Sequence, residues 1–175
     1  MQKEIRIAGT GGMGVVLAGV IVGHSAVVYG GLNAVQSQSY GSEARGTAAK
    51  SEVIIGDGDI HFPKVRKSDY FVVMSQSALD KYIDDAKLGS LVIVDPDLVD
   101  ATGLEEKYEL IDVPAMKTAD NMGVRLASNM VMLGALVKKS GLFPLDALEN
   151  GVKDMVPEKY LEIDVKAIHA GADLV

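Results

Sequence analysis

The sequence predicts an α/β protein with a Rossmann-like, doubly wound and mostly parallel sheet, a hairpin excursion and a helical C-terminal third. A glycine-rich turn joins an apolar strand to an apolar helix near the N-terminus, which is typical of a strand–helix–strand unit. Two later apolar runs, Tyr70–Met74 and Leu91–Asp95, have the pattern of strands buried on both faces. Beyond Pro114, apolar residues recur at helical spacing.

The first unit occupies about the length of one βαβ motif. Its helix is almost wholly apolar, and Gly30 and Gly31 follow it where a left-handed helix cap is expected. Its successive segments are the strand Glu4–Gly9, the turn Gly9–Gly14, the helix Val15–Tyr29 and the strand Asn33–Gln36.

The middle of the chain predicts a hairpin and then three parallel strands. The turn signal Gly56–Asp59 separates Ala48–Ile55 from Asp59–Phe62, so these two segments are expected to pair with each other. The elements expected after them are strand Tyr70–Met74, helix Ser77–Ala86, strand Leu91–Asp95 and strand Tyr108–Val113.

The last third predicts three helices. The first is expected to run without interruption from Ala119 to Val137, with Asn121, Arg125 and Asn129 forming a polar stripe along its first half. Beyond Asn129 it is apolar all round, so it must be buried in the core or under a partner. The other two helices are Pro144–Met155 and Pro157–Ala172.

Length and composition predict a single domain over residues 1–175. The chain has 175 residues, of which 48% are hydrophobic, and no repeat or linker divides it. The net charge is −7, with the acidic residues concentrated between residues 57 and 115. An acidic chain without a basic stripe is a poor nucleic-acid binder, so no nucleic-acid partner is expected.

Cysteine and histidine usage excludes several kinds of chemistry. The chain has no cysteine, which removes disulfides, thiolate nucleophiles and a cysteine-ligated Fe–S cluster. His24, His61 and His169 are far apart in sequence and propose no metal site. His24 lies in an apolar helix and is interpreted as a core histidine rather than a catalytic base, and the acidic run Asp95–Asp112 as a solvated face.

Nothing in the sequence indicates a membrane or secretory location. The N-terminus lacks the pattern of a signal peptide, and the longest apolar stretch, Met130–Val137, is much shorter than a membrane span. A cytoplasmic protein is therefore expected.

The glycine turn is the first candidate site, and it consists of Gly9, Thr10, Gly11, Gly12, Met13 and Gly14. Its glycines allow close approach of a ligand to the backbone, and the helix that follows offers free N–H groups to an anion. An NAD site would add an acidic residue after the second strand, but Gln36–Ser39 contains none. A turn used for packing or subunit contact is favoured over a phosphate-bearing ligand, and both are favoured over NAD.

The second candidate site is the polar segment Gln36–Gly46, predicted to be a loop beyond the second strand. Gln38, Tyr40, Glu43 and Arg45 are interpreted as interface or anion-contact residues, with Tyr40 as an amphipathic anchor and Arg45 as a donor. The alternative is a solvated loop whose Glu43 and Arg45 pair weakly.

Together these motifs resemble the gamma subunit of 2-oxoacid:ferredoxin oxidoreductases. The resemblance runs from about residue 3 to residue 140 in the family's order, with Met13 standing where the family has Gln, and Ser42 and Thr47 where it has Pro and Gly. The stretch 33–40 is closer to the 2-oxoglutarate type than to the pyruvate type. The resemblance to the gamma subunit depends on the segments Gly9–Gly14, Gln38–Gly46, Asp69–Met74 and Asn129–Ala135.

The resemblance implies a structural and docking subunit of a complex that converts a 2-oxoacid and coenzyme A to acyl-CoA, CO2 and reduced ferredoxin. Thiamine diphosphate, Mg and Fe–S clusters are then expected on partner subunits and no cofactor on this chain, with the glycine turn and Arg45 contacting coenzyme A. The expected partners are alpha and beta subunits, with a ferredoxin-like delta subunit left open and ferredoxin as electron acceptor. Pyruvate and branched-chain oxoacid enzymes, a free-standing nucleotide-binding protein, and a homodimer formed through an exposed Met-rich helix remain alternatives.

Overall fold

A computed structural model of the chain describes residues 1–39 and 48–175. Six strands form one mixed sheet in the order β2-β3-β1-β4-β5-β6, with helices on both faces, which confirms the predicted α/β class. The strands are β1 (Gln2–Thr10), β2 (Asn33–Ser39), β3 (Ala48–Gly56), β4 (Ser68–Val73), β5 (Ala86–Val94) and β6 (Glu109–Asp112).

The strand directions place the carboxyl ends of five strands at one edge of the sheet. β1 pairs in parallel with β4, β4 with β5, and β5 with β6. β3 runs antiparallel to both of its neighbours, β1 and β2, so β2 points the same way as β1. The glycine turn after β1 and the end of β2 therefore lie at the same edge, which is where doubly wound sheets bind ligands.

The predicted hairpin between Ala48–Ile55 and Asp59–Phe62 is wrong. Residues 59–62 form no strand, and β3 lies instead between β1 and β2, where it forms the hairpin partner of β2. Arg6 and Glu52 are opposite one another in the β1–β3 register, and the Nε of Arg6 donates to Oε2 of Glu52 at 2.9 Å. Because Arg6 is only 2% exposed, its charge requires this partner, and the ion pair fixes β3 beside β1.

In the described part of the chain, six helices cover the sheet unequally. Ile5 and Ile7 of β1 belong to the larger core, under α1, α4, α5 and α6, whereas Ala8 and Phe71 belong to a smaller core on the opposite face, under α2. This alternation follows from the two-residue period of a strand. The helices are α1 (Val15–Val28), α2 (Gln76–Tyr82), α3 (Ala115–Asn121), α4 (Ser128–Ser140), α5 (Leu145–Met155) and α6 (Glu158–Asp173).

The predicted continuous helix from Ala119 to Val137 is also wrong, because the chain breaks at Gly123. This glycine has φ 87°, a left-handed conformation that ends α3. A 3-10 turn, Arg125–Ala127, then precedes α4. Leu126 in that turn is 79% exposed, although its spacing from Met130 predicted a place on the buried face.

The apolar half of the predicted helix is buried by this chain itself. Met130–Val137 lies in the larger core under α6, and the two helices touch through their backbones. A Cβ added at Gly134 would lie 1.9 Å from the carbonyl oxygen of Ile168, and one added at Gly171 would lie 1.8 Å from that of Val131. The expectation that this Met-rich helix surface is exposed is therefore wrong, whereas a homodimer of the lone chain stays a prediction.

Within residues 1–39 and 48–175, the helices fall short of the length and hydrophobicity that a membrane crossing requires.

Candidate functional site

The glycine turn closes at the carboxyl end of β1. Gly9 and Thr10 are still in the strand, and the main-chain N–H of Met13 donates to the carbonyl oxygen of Thr10 at 3.2 Å. The sulfur of Met13 accepts in return from the Thr10 N–H at 3.4 Å. Met13 therefore folds back and closes the turn with its own side chain.

The glycines of the turn serve two different purposes. A Cβ at Gly9 would lie 3.1 Å from the Met13 sulfur, and one at Gly14 would lie 2.4 Å from Nδ2 of Asn129, so these two positions are enclosed. At Gly11 and Gly12, no atom of the described residues lies within 4 Å of such a Cβ. The outer half of the turn thus presents bare backbone to the surroundings, as close approach by a ligand or a partner chain requires.

The start of α1 adds a weak positive field to this backbone. Ala18 is the first residue whose N–H reaches a helical carbonyl, that of Gly14, and the first turn of the helix carries no acidic residue. No side chain among the described residues caps the helix start. The three preceding N–H groups and the helix dipole therefore favour an anion.

An open cavity of about 330 Å³ lies over the turn and the helix start. It is lined by backbone and aliphatic side chains, with no titratable group among the described residues that form it. Such a cavity can bind a small anionic group or a partner's backbone, but it offers no base or nucleophile. Its lining consists of Gly11, Gly12, Gly14, Val15, Val16, Leu17 and Ala49.

Asn129 holds the turn from below. It is 4% exposed, and its Nδ2 donates to the carbonyl oxygen of Gly14 at 3.2 Å, which joins the start of α4 to the start of α1. Sequence reasoning placed Asn129 in a polar stripe and missed this role. The available signal was a lone amide at the head of an otherwise apolar run, because a buried amide requires a partner.

Gln36 lies in β2, as the predicted strand Asn33–Gln36 has it, and the strand continues through Gln38, which was predicted to lie in a loop. Nε2 of Gln36 donates to Oγ of Ser51 and to Oε1 of Gln38, both at 3.0 Å, while Gln38 itself is exposed on the edge strand β2. The other three predicted contact residues, Tyr40, Glu43 and Arg45, lie outside the described residues.

The position of β3 changes what the turn can bind. In a dinucleotide site the second strand lies next to the first and supplies the group that holds the ribose. Here β3 separates β1 from β2, as the register Ala8–Lys50–Ser39 shows. The end of β2 is thus two strand spacings from the turn, about 10 Å. This distance is a second argument against NAD binding, in addition to the lack of an acidic residue at the end of β2.

The histidines are not brought together. His24 is not a core residue as expected; it is half-buried, with Nε2 2.9 Å from Oδ2 of Asp154, and the Tyr29 hydroxyl donates to the same oxygen at 2.6 Å. Two hydrogen bonds, the one from His24 having the larger effect and the one from Tyr29 the smaller, hold the pKa of Asp154 below its usual value. This cluster joins α1 to α5, whereas His61 is exposed and His169 pairs with Glu149.

The acidic run contains one structural carboxylate and an open acidic face. Asp95 is 1% exposed and accepts from the N–H groups of Asp97 and Met116 at 3.0 and 2.9 Å, while burial raises its pKa. Asp97 and Asp100 line an open cavity of about 760 Å³ beyond β5. Across residues 1–39 and 48–175, His, Cys, Asp and Glu form no group of three placed to hold a metal ion.

Comparison with known proteins shows similarity along the whole chain. Residues 4–174 match the family model described as Pyruvate ferredoxin/flavodoxin oxidoreductase. The chain is 45% identical over 181 residues to the 2-oxoglutarate synthase subunit KorC of Methanothermobacter thermautotrophicus, an alignment that covers 100% of this chain and 96% of the relative.

Solved structures share the fold. The gamma subunit of a keto/oxoacid ferredoxin oxidoreductase from Geobacter sulfurreducens superposes with a TM-score of 0.88 at 38% identity, covering 99% of this chain and 96% of that one. The fold also matches part of 2-oxoglutarate:ferredoxin oxidoreductase from Magnetococcus marinus, with a TM-score of 0.85 at 24% identity. That match covers 99% of this chain but 31% of the longer one, and at this identity it shows the fold alone.

Proposed function

Since this chain belongs to the pyruvate ferredoxin/flavodoxin oxidoreductase family, we propose that it is the gamma subunit of a 2-oxoacid:ferredoxin oxidoreductase that acts on 2-oxoglutarate. The complex decarboxylates the oxoacid oxidatively with coenzyme A, giving acyl-CoA, CO2 and reduced ferredoxin. The observation that carries the assignment is the 45% identity to KorC over the whole of this chain and 96% of the relative.

This chain's own part in the complex is to dock and to position. The glycine-turn cavity contains no acid, base or nucleophile among the described residues that line it. The chain has no cysteine for an Fe–S cluster, and its described acidic residues form no metal-binding group. We place thiamine diphosphate, magnesium and the Fe–S clusters on the alpha and beta subunits, or on a ferredoxin-like delta subunit.

The docking surface lies at the carboxyl edge of the sheet. It combines the open backbone of Gly11 and Gly12 with the exposed edge strand β2, which carries Gln38. The predicted contact residues Tyr40, Glu43 and Arg45 follow β2 directly in sequence. Backbone and amide groups such as these form hydrogen bonds that fix the register of two subunits.

At the same edge we place a phosphate of coenzyme A. The free N–H groups at the start of α1 and the open space over Gly11 suit an anion, and the guanidinium of Arg45 would supply a paired donor. The ligand would thus be held by this chain while the reaction takes place on the partner subunits.

Co-purification tests the assignment of the chain to this complex. An affinity-tagged copy, expressed at native level in its own host, is expected to retain large partner chains that contain thiamine diphosphate and reduce ferredoxin with 2-oxoglutarate. Recovery of the tagged chain alone would overturn the assignment. A complex that prefers pyruvate or a branched-chain oxoacid would replace the proposed substrate, and affinity of the isolated chain for NAD(P)H would support a free-standing nucleotide-binding protein instead.

The coenzyme A contact predicts a kinetic effect without a loss of stability. Gly11→Ala adds a methyl group where the described part of the chain leaves open space, so it should leave folding intact while it obstructs the ligand. Arg45→Ala removes a charge-assisted hydrogen bond. We expect either change to raise the KM of the complex for coenzyme A about tenfold, with kcat for the saturated enzyme little changed.

Gly58→Ala is the matched control for Gly11→Ala, since it too adds a methyl group where the described residues leave open space. Gly58 follows the end of β3 that is distant from the glycine turn. An unchanged KM for coenzyme A in both Gly11→Ala and Arg45→Ala would remove the coenzyme A contact from the proposal and leave the docking role standing.

A further inference from the structure

A second pocket of about 220 Å³ lies beside the glycine turn, between the start of α1, the 3-10 turn, and the helices α4 and α6. Leu17 lines both cavities, so the two form one continuous surface. All but three of its lining residues are aliphatic. The lining consists of Leu17, Val124, Leu126, Ala127, Asn129, Met130, Tyr160 and Asp164.

Among the described residues, one carboxylate in this pocket is without a counter-charge. Asp164 of α6 is 9% exposed, and no described residue donates a hydrogen bond to it or forms an ion pair with it. Burial raises the pKa of Asp164. A largely buried carboxylate without a protein partner is unfavourable, so the presence of Asp164 calls for an explanation outside the isolated chain.

The rim of the pocket is apolar and open. Leu126 is 79% exposed, Tyr160 is 45% exposed and Leu17 is 38% exposed. Exposed apolar side chains grouped around a pocket mark an interaction site more often than bare surface does. The pocket therefore combines apolar walls at its mouth with a negative charge in its interior.

We propose, building on the assignment of this chain as a gamma subunit, that this pocket receives an arginine side chain of a partner subunit, with its guanidinium on Asp164. The three-carbon stem of arginine packs against Leu17 and Leu126, and its planar head stacks on the ring of Tyr160. Arginine fits better than lysine, because its guanidinium is less strongly hydrated and pairs with a carboxylate through two hydrogen bonds. Continuity with the glycine turn makes the pocket part of the same docking surface.

The closing experiment compares Asp164→Asn with Glu162→Gln in the reconstituted complex. Asparagine keeps the shape of Asp164 and removes its charge, while Glu162 lies on the same helix, is 85% exposed and serves as the control. We expect Asp164→Asn to raise the Kd between this chain and its partner subunits at least tenfold, and Glu162→Gln to leave it unchanged. Leu126→Ala, at the rim, should weaken assembly in the same direction.

The thermal stability of the isolated chain provides a readout that assembly does not influence. Since Asp164 is largely buried there and has no partner among the described residues, Asp164→Asn should leave the Tm of the isolated chain unchanged or raise it. A lower Tm would mean that Asp164 has an internal role, and it would overturn the proposal even if assembly weakened. A wild-type Kd for Asp164→Asn would overturn it as well, while leaving the gamma-subunit assignment intact.

Two further outcomes separate the remaining occupants. If the isolated wild-type chain dimerises and Asp164→Asn abolishes the dimer in sedimentation, the occupant is a second copy of this chain and the proposal is overturned. Failure of the wild-type chain to retain any partner subunit would overturn the gamma-subunit assignment and this inference together.

Discussion

At the scale of single residues, the glycine turn separates the glycines that the fold requires from those that are available for contact. Gly14 combines φ 73° with close contact to Asn129, whereas Gly12 has φ 90° and open space around it. The motif G-x-G-x-x-G alone does not distinguish the two roles, because it records only where side chains are absent.

This difference predicts unequal effects of alanine. Gly14→Ala meets both the left-handed backbone and the amide of Asn129, so it should lower the free energy of unfolding by about 3 kcal/mol. Gly12→Ala meets only the backbone and should lower it by about 1 kcal/mol. Urea unfolding of the isolated variants measures both values. Equal losses would show that Asn129 moves aside freely.

Two of the residues that matter most at this scale are not identified by the sequence analysis. Asn129 was assigned to a polar stripe, and its bond to Gly14 joins residues 115 positions apart. Asp164 lies on a helix whose other charges are solvated, and nothing local distinguishes a buried carboxylate from an exposed one. The turn itself was predicted correctly, because its signal is contained in six consecutive residues.

At the scale of elements, α4 and α6 pack in the larger core with their backbones in direct contact. Gly134 and Gly171 each face the carbonyl oxygen of the other helix, so neither position has room for a side chain. The apolar character of α4 follows from this contact, because the helix is enclosed by the chain's own elements on all sides.

Gly134→Ala should therefore be strongly destabilising. A Cβ at this position would lie 1.9 Å from the oxygen of Ile168, so the two helices must separate, which costs about 3 kcal/mol. Gly141→Ala, at the end of the same helix, meets open space with φ 64° and should cost about 1 kcal/mol. Thermal unfolding followed by circular dichroism compares them, and a similar Tm for the two variants would contradict the proposed contact.

Most elements were predictable, whereas their pairing was not. The strands at β1, β4 and β5 have apolar runs that identify them locally, and helices α1, α5 and α6 begin and end within a few residues of the predicted positions. The insertion of β3 depends on contacts between residues about 40 to 50 positions apart. Arg6 and Glu52 offered one clue, since a charge in each of two buried strands requires a partner.

At the scale of the whole molecule, a single sheet supplies both cores. Successive residues of β1 and β4 alternate between them, as Val72 and Val73 do. One face cannot lose its packing without disturbing strands that also support the other face. This arrangement favours the single domain expected from the composition, although strand order itself had to come from the three-dimensional structure.

A single cooperative transition is the corresponding prediction. The chain has no tryptophan, so Tyr82→Trp and Phe143→Trp would each place one reporter in the smaller and the larger core, respectively. We expect the two fluorescence transitions in urea to coincide with each other, after correction for any change in stability measured by circular dichroism on the same samples. If the fluorescence midpoint and the circular dichroism midpoint of one variant differed, the result would indicate two independently folding units.

The helix break at Gly123 shows how the exposed apolar surface around Leu126 can arise. In an uninterrupted helix Leu126 would lie one turn before Met130 and would join the interior. The left-handed residue Gly123 instead places Leu126 on the surface, with no insertion in the chain. The residue at position 123 alone thus decides whether Leu126 is buried or exposed on the surface. Affinity for a partner chain can therefore be gained or lost in one mutational step.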